Sequence, residues 1–242
     1  RMISLHLIYN IMKFKDKRVL ITGGARRIGR AFAKAFITEG AEVIIHYRKS
    51  EYEAKEISPH VVYADLSNPN DVSTILKKSG PVDILINNAS LFTKDRLKDA
   101  FHERASRELQ VNLLAPLDLI RQFAEQTKSG LILNILDRRI KAHDTSCVPY
   151  SLSKIALAEL TRLAALELAP NFRVNGVAPG PILPTSGTSE AHFKENKGTI
   201  PMGLIPDVKE LIDAGFYLLQ SRSVTGQIIY VDGGQHILGN GV

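Results

Sequence analysis

Cysteine is nearly absent: Cys147 is the single one in 242 residues. One thiol excludes an intrachain disulfide, and a reducing compartment, the cytoplasm, is the simplest setting for such a chain. Neither CxxC nor HExxH occurs, and the seven histidines show no ligand spacing, so no metal site is expected. Long apolar runs are missing too. No stretch approaches the roughly 18 uninterrupted apolar residues of a membrane span, so no membrane partner is expected. Residues 1–11 contain neither a long apolar core nor an AxA-like site. They read as a poorly ordered extension without a secretory signal, ahead of a strongly patterned start at Met12.

What is present suits one α/β domain over 12–242: 44% hydrophobic and 23% charged residues. Short apolar runs recur at Val19–Ile21, Val43–Ile45, Val61–Tyr63, Ile84–Ile86, Leu131–Ile135, Val174–Val177 and Ile228–Val231. Parallel strands covered on both faces read this way. Helical spacing lies between them: Ile28, Ala31, Phe32, Ala35 and Phe36; then Leu109, Leu113, Leu117 and Ile120; then Ile155, Leu157, Ala158, Leu160, Leu163 and Leu166. Alternation of this kind predicts a doubly wound, seven-stranded parallel sheet with helices on both faces. The segment from Pro179 to Met202, rich in Pro, Gly, Ser and Thr, is read as an irregular substrate loop.

The net charge is +6, and it is concentrated. Residues 1–50 hold eleven Lys/Arg against three Asp/Glu, a balance of +8, which leaves −2 for the rest. A nucleic-acid arm and a local site for a small polyanion both fit a basic segment. The second is favoured by Thr22-Gly23-Gly24-Ala25-Arg26-Arg27-Ile28-Gly29, which follows a strand and opens a helix. Glycines permit the tight turn, and free helix N–H groups face an anion; a dinucleotide pyrophosphate fits, and so does a plain strand-to-helix turn. After the second strand comes His46-Tyr47-Arg48-Lys49-Ser50. A carboxylate for the ribose hydroxyls is missing there. Two cations stand in its place, which favours the 2′-phosphate of NADP(H), with Arg26 able to join them.

Tyr150 and Lys154 lie four apart, on one face of a helix. An adjacent ammonium stabilises phenolate and lowers the tyrosine pKa, so the pair suits proton transfer to a substrate. With the glycine loop upstream, the set resembles the short-chain dehydrogenase/reductase family over essentially the whole chain after Met12. The matching pieces are Thr22–Gly29, Asp65, Asn87-Asn88-Ala89, Asn112, Tyr150, Lys154 and Pro179-Gly180. The resemblance implies a Rossmann-like fold and a homotetramer, with the tail Gly239–Val242 directed at a neighbouring subunit. It also implies that Gly23, Ile28, Asp65, Leu66, Asn88, Ala89, Ser90, Pro179, Gly180 and Ile182 join the cofactor contacts.

Two departures narrow the resemblance. Arg27 occupies the usual middle glycine of the loop, and Asp137 stands thirteen residues before Tyr150, where the family places serine. Both are similar to the pteridine reductase branch, including the dihydromonapterin reductases, as are Ser90 after Asn87-Asn88-Ala89 and Phe92 two positions on. A pterin is flat and rich in ring nitrogens. Phe92 suits one of its faces and Asp137 suits a ring nitrogen or amino group, with Arg27 and Pro181 nearby. Phe92 equally fits a core or lid aromatic, and Asp137 a loop-capping carboxylate. The expected reaction is reduction of a dihydropteridine by NADPH, with Tyr150 as acid, Lys154 holding the nicotinamide ribose, and Asn112 steadying a relay water. A carbonyl reductase, such as a 3-oxoacyl thioester reductase, is the alternative enzyme. A non-catalytic NADP sensor is the alternative of another class.

Overall fold

The seven apolar runs become β1 (Arg18–Thr22), β2 (Glu42–Tyr47), β3 (Val61–Tyr63), β4 (Ile84–Asn87), β5 (Gly130–Ile135), β6 (Phe172–Pro179) and β7 (Ile228–Val231). They form one sheet in the order β3-β2-β1-β4-β5-β6-β7, every neighbouring pair parallel. The computed structural model describes residues 13–184, 189–195 and 198–238. The extension 1–11 and the tail 239–242 lie outside the described residues.

Eight helices occur among those residues: α1 (Arg27–Thr38), α2 (Glu51–Ile57), α3 (Pro69–Ser79), α4 (His102–Leu109), α5 (Ala115–Gln126), α6 (Val148–Glu167), α7 (Glu190–Glu195) and α8 (Val208–Gln220). Successive strand side chains point to opposite faces, so the apolar runs feed two cores. Ile21, Ile45 and Ile86 pack with Phe32 and Phe36 of α1 and Phe216 of α8. Leu20, Ile44 and Leu85 pack on the other face with Ile75 and Leu76 of α3 and Leu119 and Phe123 of α5. Phe216 seals the first core, its ring 4.8 Å from both Phe14 and Phe36.

Two of the expected leucine stripes are not continuous helix faces. A π-helical turn at Gln110–Leu114 joins α4 to α5 and rotates the residues beyond it. Val111, Ala115, Leu119 and Phe123 turn inward, whereas Leu117 is exposed. On α6 the buried face runs through Leu157, Ala158, Thr161, Ala164 and Ala165, so Leu163 and Leu166 point outward. The segment expected to be irregular from Pro179 onward opens with the last residue of β6 and contains the short helix α7.

The chain leaves β1 toward β2 and leaves β4 toward β5, in opposite directions across the sheet. That reversal opens a crevice at the carboxyl ends of these strands. Thr22 and Asn88 tie its two sides together. The Thr22 hydroxyl accepts from the N–H groups of Asn88 (2.9 Å) and Ala89 (3.0 Å), and the Asn88 amide donates to the carbonyls of Thr22 (2.8 Å) and Gly23 (3.1 Å).

Candidate active site

The crevice is a cleft of about 930 Å³, within the usual range of small-molecule sites, and most residues singled out in the sequence line it. Its first wall is the loop after β1. Asn68 caps α3 and Asp207 caps α8, but α1 has no side-chain cap and no acidic residue in its first turn. Its first N–H groups are left for an anion. Gly23 adopts φ +62°, where a side chain is strained. A Cβ on Gly29 would collide with the Gly23 carbonyl and the Asn88 amide.

The two loop arginines both line the cleft, and each is held by another part of the chain. Arg26 is ion-paired with Glu53 of α2. Arg27, at φ +52°, reaches across the cleft and donates to the carbonyls of Pro184 (2.6 Å) and Leu183 (3.2 Å). Its guanidinium therefore fastens the glycine loop to the segment that follows β6.

The segment after β2 divides sharply. His46 is buried: its Nδ1 accepts from the Gly23 N–H at 3.1 Å, and its Nε2 lies 3.1 Å from the Ala64 carbonyl. Burial lowers its pKa to about 4, so the imidazole is a neutral strut under the loop, and it also lines the cleft. The Tyr47 ring sits edge-on to Tyr63 at 5.9 Å, and Tyr47, Lys49 and Ser50 stand outside the cleft lining. Arg48 does line it, 3.7 Å from Asp65, which is itself steadied by the Ser67 N–H (2.9 Å) and hydroxyl (2.7 Å). Leu66, Asn88, Ala89, Ser90 and Ile28 complete this half.

The other half holds the reactive groups. Pro149 near the start of α6 suits a first helical turn, and the helix brings Tyr150 and Lys154 to the cleft floor beside the end of β5. The Tyr150 hydroxyl donates to Asp137 at 2.9 Å. The Lys154 ammonium donates to the Ile135 carbonyl at 2.8 Å and lies 5.9 Å from the Tyr150 ring centroid. The expectation that lysine lowers the tyrosine pKa is reversed here. Burial first, and then the Asp137 carboxylate, push the phenol well above its usual range. Burial pulls Lys154 down to about 8. At neutral pH the arrangement holds a phenol with its proton, beside an acceptor.

Asp137 has two jobs: it accepts from Tyr150, and it caps the 3-10 turn Arg138–Ile140 by accepting from the Arg139 N–H at 2.8 Å. Phe92 lines the cleft, half-exposed, its ring perpendicular to Tyr150 with centroids 4.7 Å apart. Pro179, Gly180, Pro181 and Ile182 border the same space. Gly180 is held against Asp232, whose Cα would lie 2.7 Å from an added Cβ.

Asn112 is fully buried in the π-helical turn and does not line the cleft. Its side-chain oxygen accepts from Ser90 (3.2 Å) and the Leu91 N–H (2.8 Å), and its nitrogen donates to the Leu91 carbonyl (2.8 Å) and Ser153 (3.0 Å). Four protein partners saturate the amide. These bonds fix the segment that runs from the end of β4 to Phe92. Sequence reasoning passed over Arg138, Arg139, Lys94, His192 and Phe193, all of which line the cleft. The one available signal was the arginine pair directly after Asp137.

A family model described as enoyl-(acyl carrier protein) reductase, of the short-chain dehydrogenase type, matches residues 23–236. Dihydromonapterin reductase of Enterobacter sp. (strain 638) is 30% identical over 91% of this chain and 97% of its own. L-xylulose reductase of Mus musculus is 31% identical over 90% and 96%. The crystal structure of FolM alternative dihydrofolate reductase 1 from Brucella canis, complexed with NADP, superposes with a TM-score of 0.88 at 35% identity, covering 93% of this chain and 96% of that one. The chain belongs to the short-chain dehydrogenase/reductase family of oxidoreductases.

Proposed function

We propose that this oxidoreductase uses NADPH to reduce a dihydropteridine to its tetrahydro form. The observation that carries the reading is the hydrogen bond from Tyr150 to a carboxylate, Asp137, beside the aromatic wall of Phe92. A serine hydroxyl at that place serves a carbonyl oxygen. A carboxylate accepts from N–H groups, which a pterin edge presents and a simple ketone lacks. The similarity to dihydromonapterin reductase and to the alternative dihydrofolate reductase supports the same substrate class.

The cleft suits NADP(H). The Gly23–Gly29 loop leaves backbone where side chains would collide, the uncapped first turn of α1 suits a pyrophosphate, and Arg48 suits a 2′-phosphate. When bound, this cofactor supplies the hydride. The chain supplies the proton and the alignment. Tyr150 keeps its proton at neutral pH and passes it from Oη to a ring nitrogen. Lys154 provides positive charge for the resulting phenolate. Asp137 orients the ring through its N–H groups, and Phe92 packs against the ring face.

We further propose a homotetramer, for which the exposed Leu114 and Leu117, and Leu152, Leu163 and Leu166 of α6, offer apolar surface. A monomer in light scattering would contradict that. The direct test of activity is NADPH oxidation with dihydromonapterin, dihydrobiopterin and dihydrofolate. Turnover of at least one is expected. Brisk reduction of a ketone with none of the three reduced would overturn the pteridine reading in favour of a carbonyl reductase. Cofactor binding with no turnover on either panel would favour a sensor.

A further inference from the structure

Tyr150, Asp137, Arg139 and Phe92 form a closed ring of contacts around the place where Asp137 meets the cleft. Tyr150 donates to Asp137 Oδ2 at 2.9 Å. Arg139 Nη1 donates to Oδ2 at 3.2 Å and to Oδ1 at 3.3 Å, and its backbone N–H donates to Oδ1 at 2.8 Å. The same guanidinium lies 5.6 Å from the centroid of the Phe92 ring, and that ring stands perpendicular to Tyr150. Arg139 is anchored from behind by Asp144, which accepts from Nε at 2.9 Å. Asp144 is in turn fixed by the Ser146 N–H (2.9 Å) and hydroxyl (2.6 Å).

We infer that Arg139 is a positioning residue for the reaction: one guanidinium aims the Asp137 carboxylate at Tyr150 and props the Phe92 wall, so that acceptor and wall meet the substrate at a set angle. Its part toward a ring substrate rests on the pteridine reading; its part toward Tyr150 does not. The planar fork is what allows this. Nη1 faces Asp137 while Nε faces Asp144, and the flat group is left over the Phe92 ring. A lysine has one nitrogen and cannot hold both carboxylates from one plane. The side chain is well suited to a fixed role, being only 21% exposed. Burial opposes its charge, but Asp137 and Asp144 outweigh burial and keep it firmly protonated. Asp144, outside the cleft lining, acts only through Arg139.

The test uses the full-length protein and the variants R139M, R139K, D144N and R139M/D144N. In R139M, kcat/KM for the dihydropteridine should fall roughly tenfold to a hundredfold, as expected for misplaced reacting groups, while the Kd for NADPH stays within about twofold of wild type. R139K should recover only part of the loss, and the double variant should be no worse than R139M, because Asp144 and Arg139 act as one unit. Turnover of R139M within about twofold of wild type would overturn the inference. So would full recovery in R139K, or losses that add in the double variant and are matched by weaker NADPH binding. If wild type reduces a carbonyl and no pteridine, the same variants are read on that carbonyl. A crystal structure of R139M decides the contact to Tyr150 without any turnover: the carboxylate should rotate away, and a retained 2.9 Å bond between Tyr150 and Asp137 would overturn it.

Discussion

The backbone N–H of Gly23 donates to Nδ1 of His46 at 3.1 Å, so a buried imidazole in β2 supports the turn that opens the cofactor half of the cleft. That acceptor nitrogen must carry no proton, while Nε2 bears one toward Ala64.

Stability should therefore depend on acid. Burial lowers His46 to about 4, from an ordinary value of 6.5. Below 6.5 the unfolded chain takes up a proton that the folded one refuses until about 4, so stability falls as pH drops through that window and levels off beneath it. The shift corresponds to about 3 kcal/mol. Denaturant unfolding at stepped pH should show this slope in wild type and a shallower one in H46Q; equal slopes would remove His46 from the account.

Tyr150 is the proton donor of the proposed reaction. Y150F should lower kcat roughly a hundredfold or more, the usual contribution of a placed general acid, with NADPH affinity nearly unchanged. Rapid kinetics and a fluorescence titration of NADPH separate the two, and undiminished turnover would contradict the assignment.

Arg48 is the cation of the β2 segment that faces the cleft, loosely held by Asp65 at 3.7 Å. Replacing it with glutamate places a carboxylate where ribose hydroxyls suit it. R48E should lower the preference for NADPH over NADH roughly tenfold or more, the worth of a charge-assisted bond. The ratio of kcat/KM for the two cofactors measures it, and the matching substitution K49E should have a smaller effect because Lys49 lies outside the lining.

Gly29 packs against the Gly23 carbonyl and the Asn88 amide with no room for a methyl group. G29A should separate the glycine loop from the end of β4, costing about 1–3 kcal/mol as overpacking does, and weaken NADPH binding with it. A thermal unfolding curve and a cofactor titration that both match wild type would show that the contact relaxes without cost.

Local patterns carried the fold. Alternating apolar runs and helical spacing specify a parallel sheet because each depends on residues a few positions apart, and all seven strands appear where the runs lie. The glycine loop and the Tyr150–Lys154 pair were legible for the same reason. Leu117, Leu163 and Leu166 misled because a π-helical turn and a buried face running through small residues are settled by packing and not by composition.

The amino-acid sequence by itself determined the family, the sheet, the glycine loop and the chemical identities of Tyr150, Lys154 and Asp137. Only the tertiary structure decided which charges face the cleft and in what state. Arg27 is tied to Pro184, 157 residues away, and His46 is neutralised beneath Gly23. Burial keeps the proton on Tyr150, and Arg139 emerges between Asp137, Asp144 and Phe92. The reason is physical: helical and strand periods act over a few residues, whereas desolvation and ion pairing depend on what the folded chain brings together from far along its length.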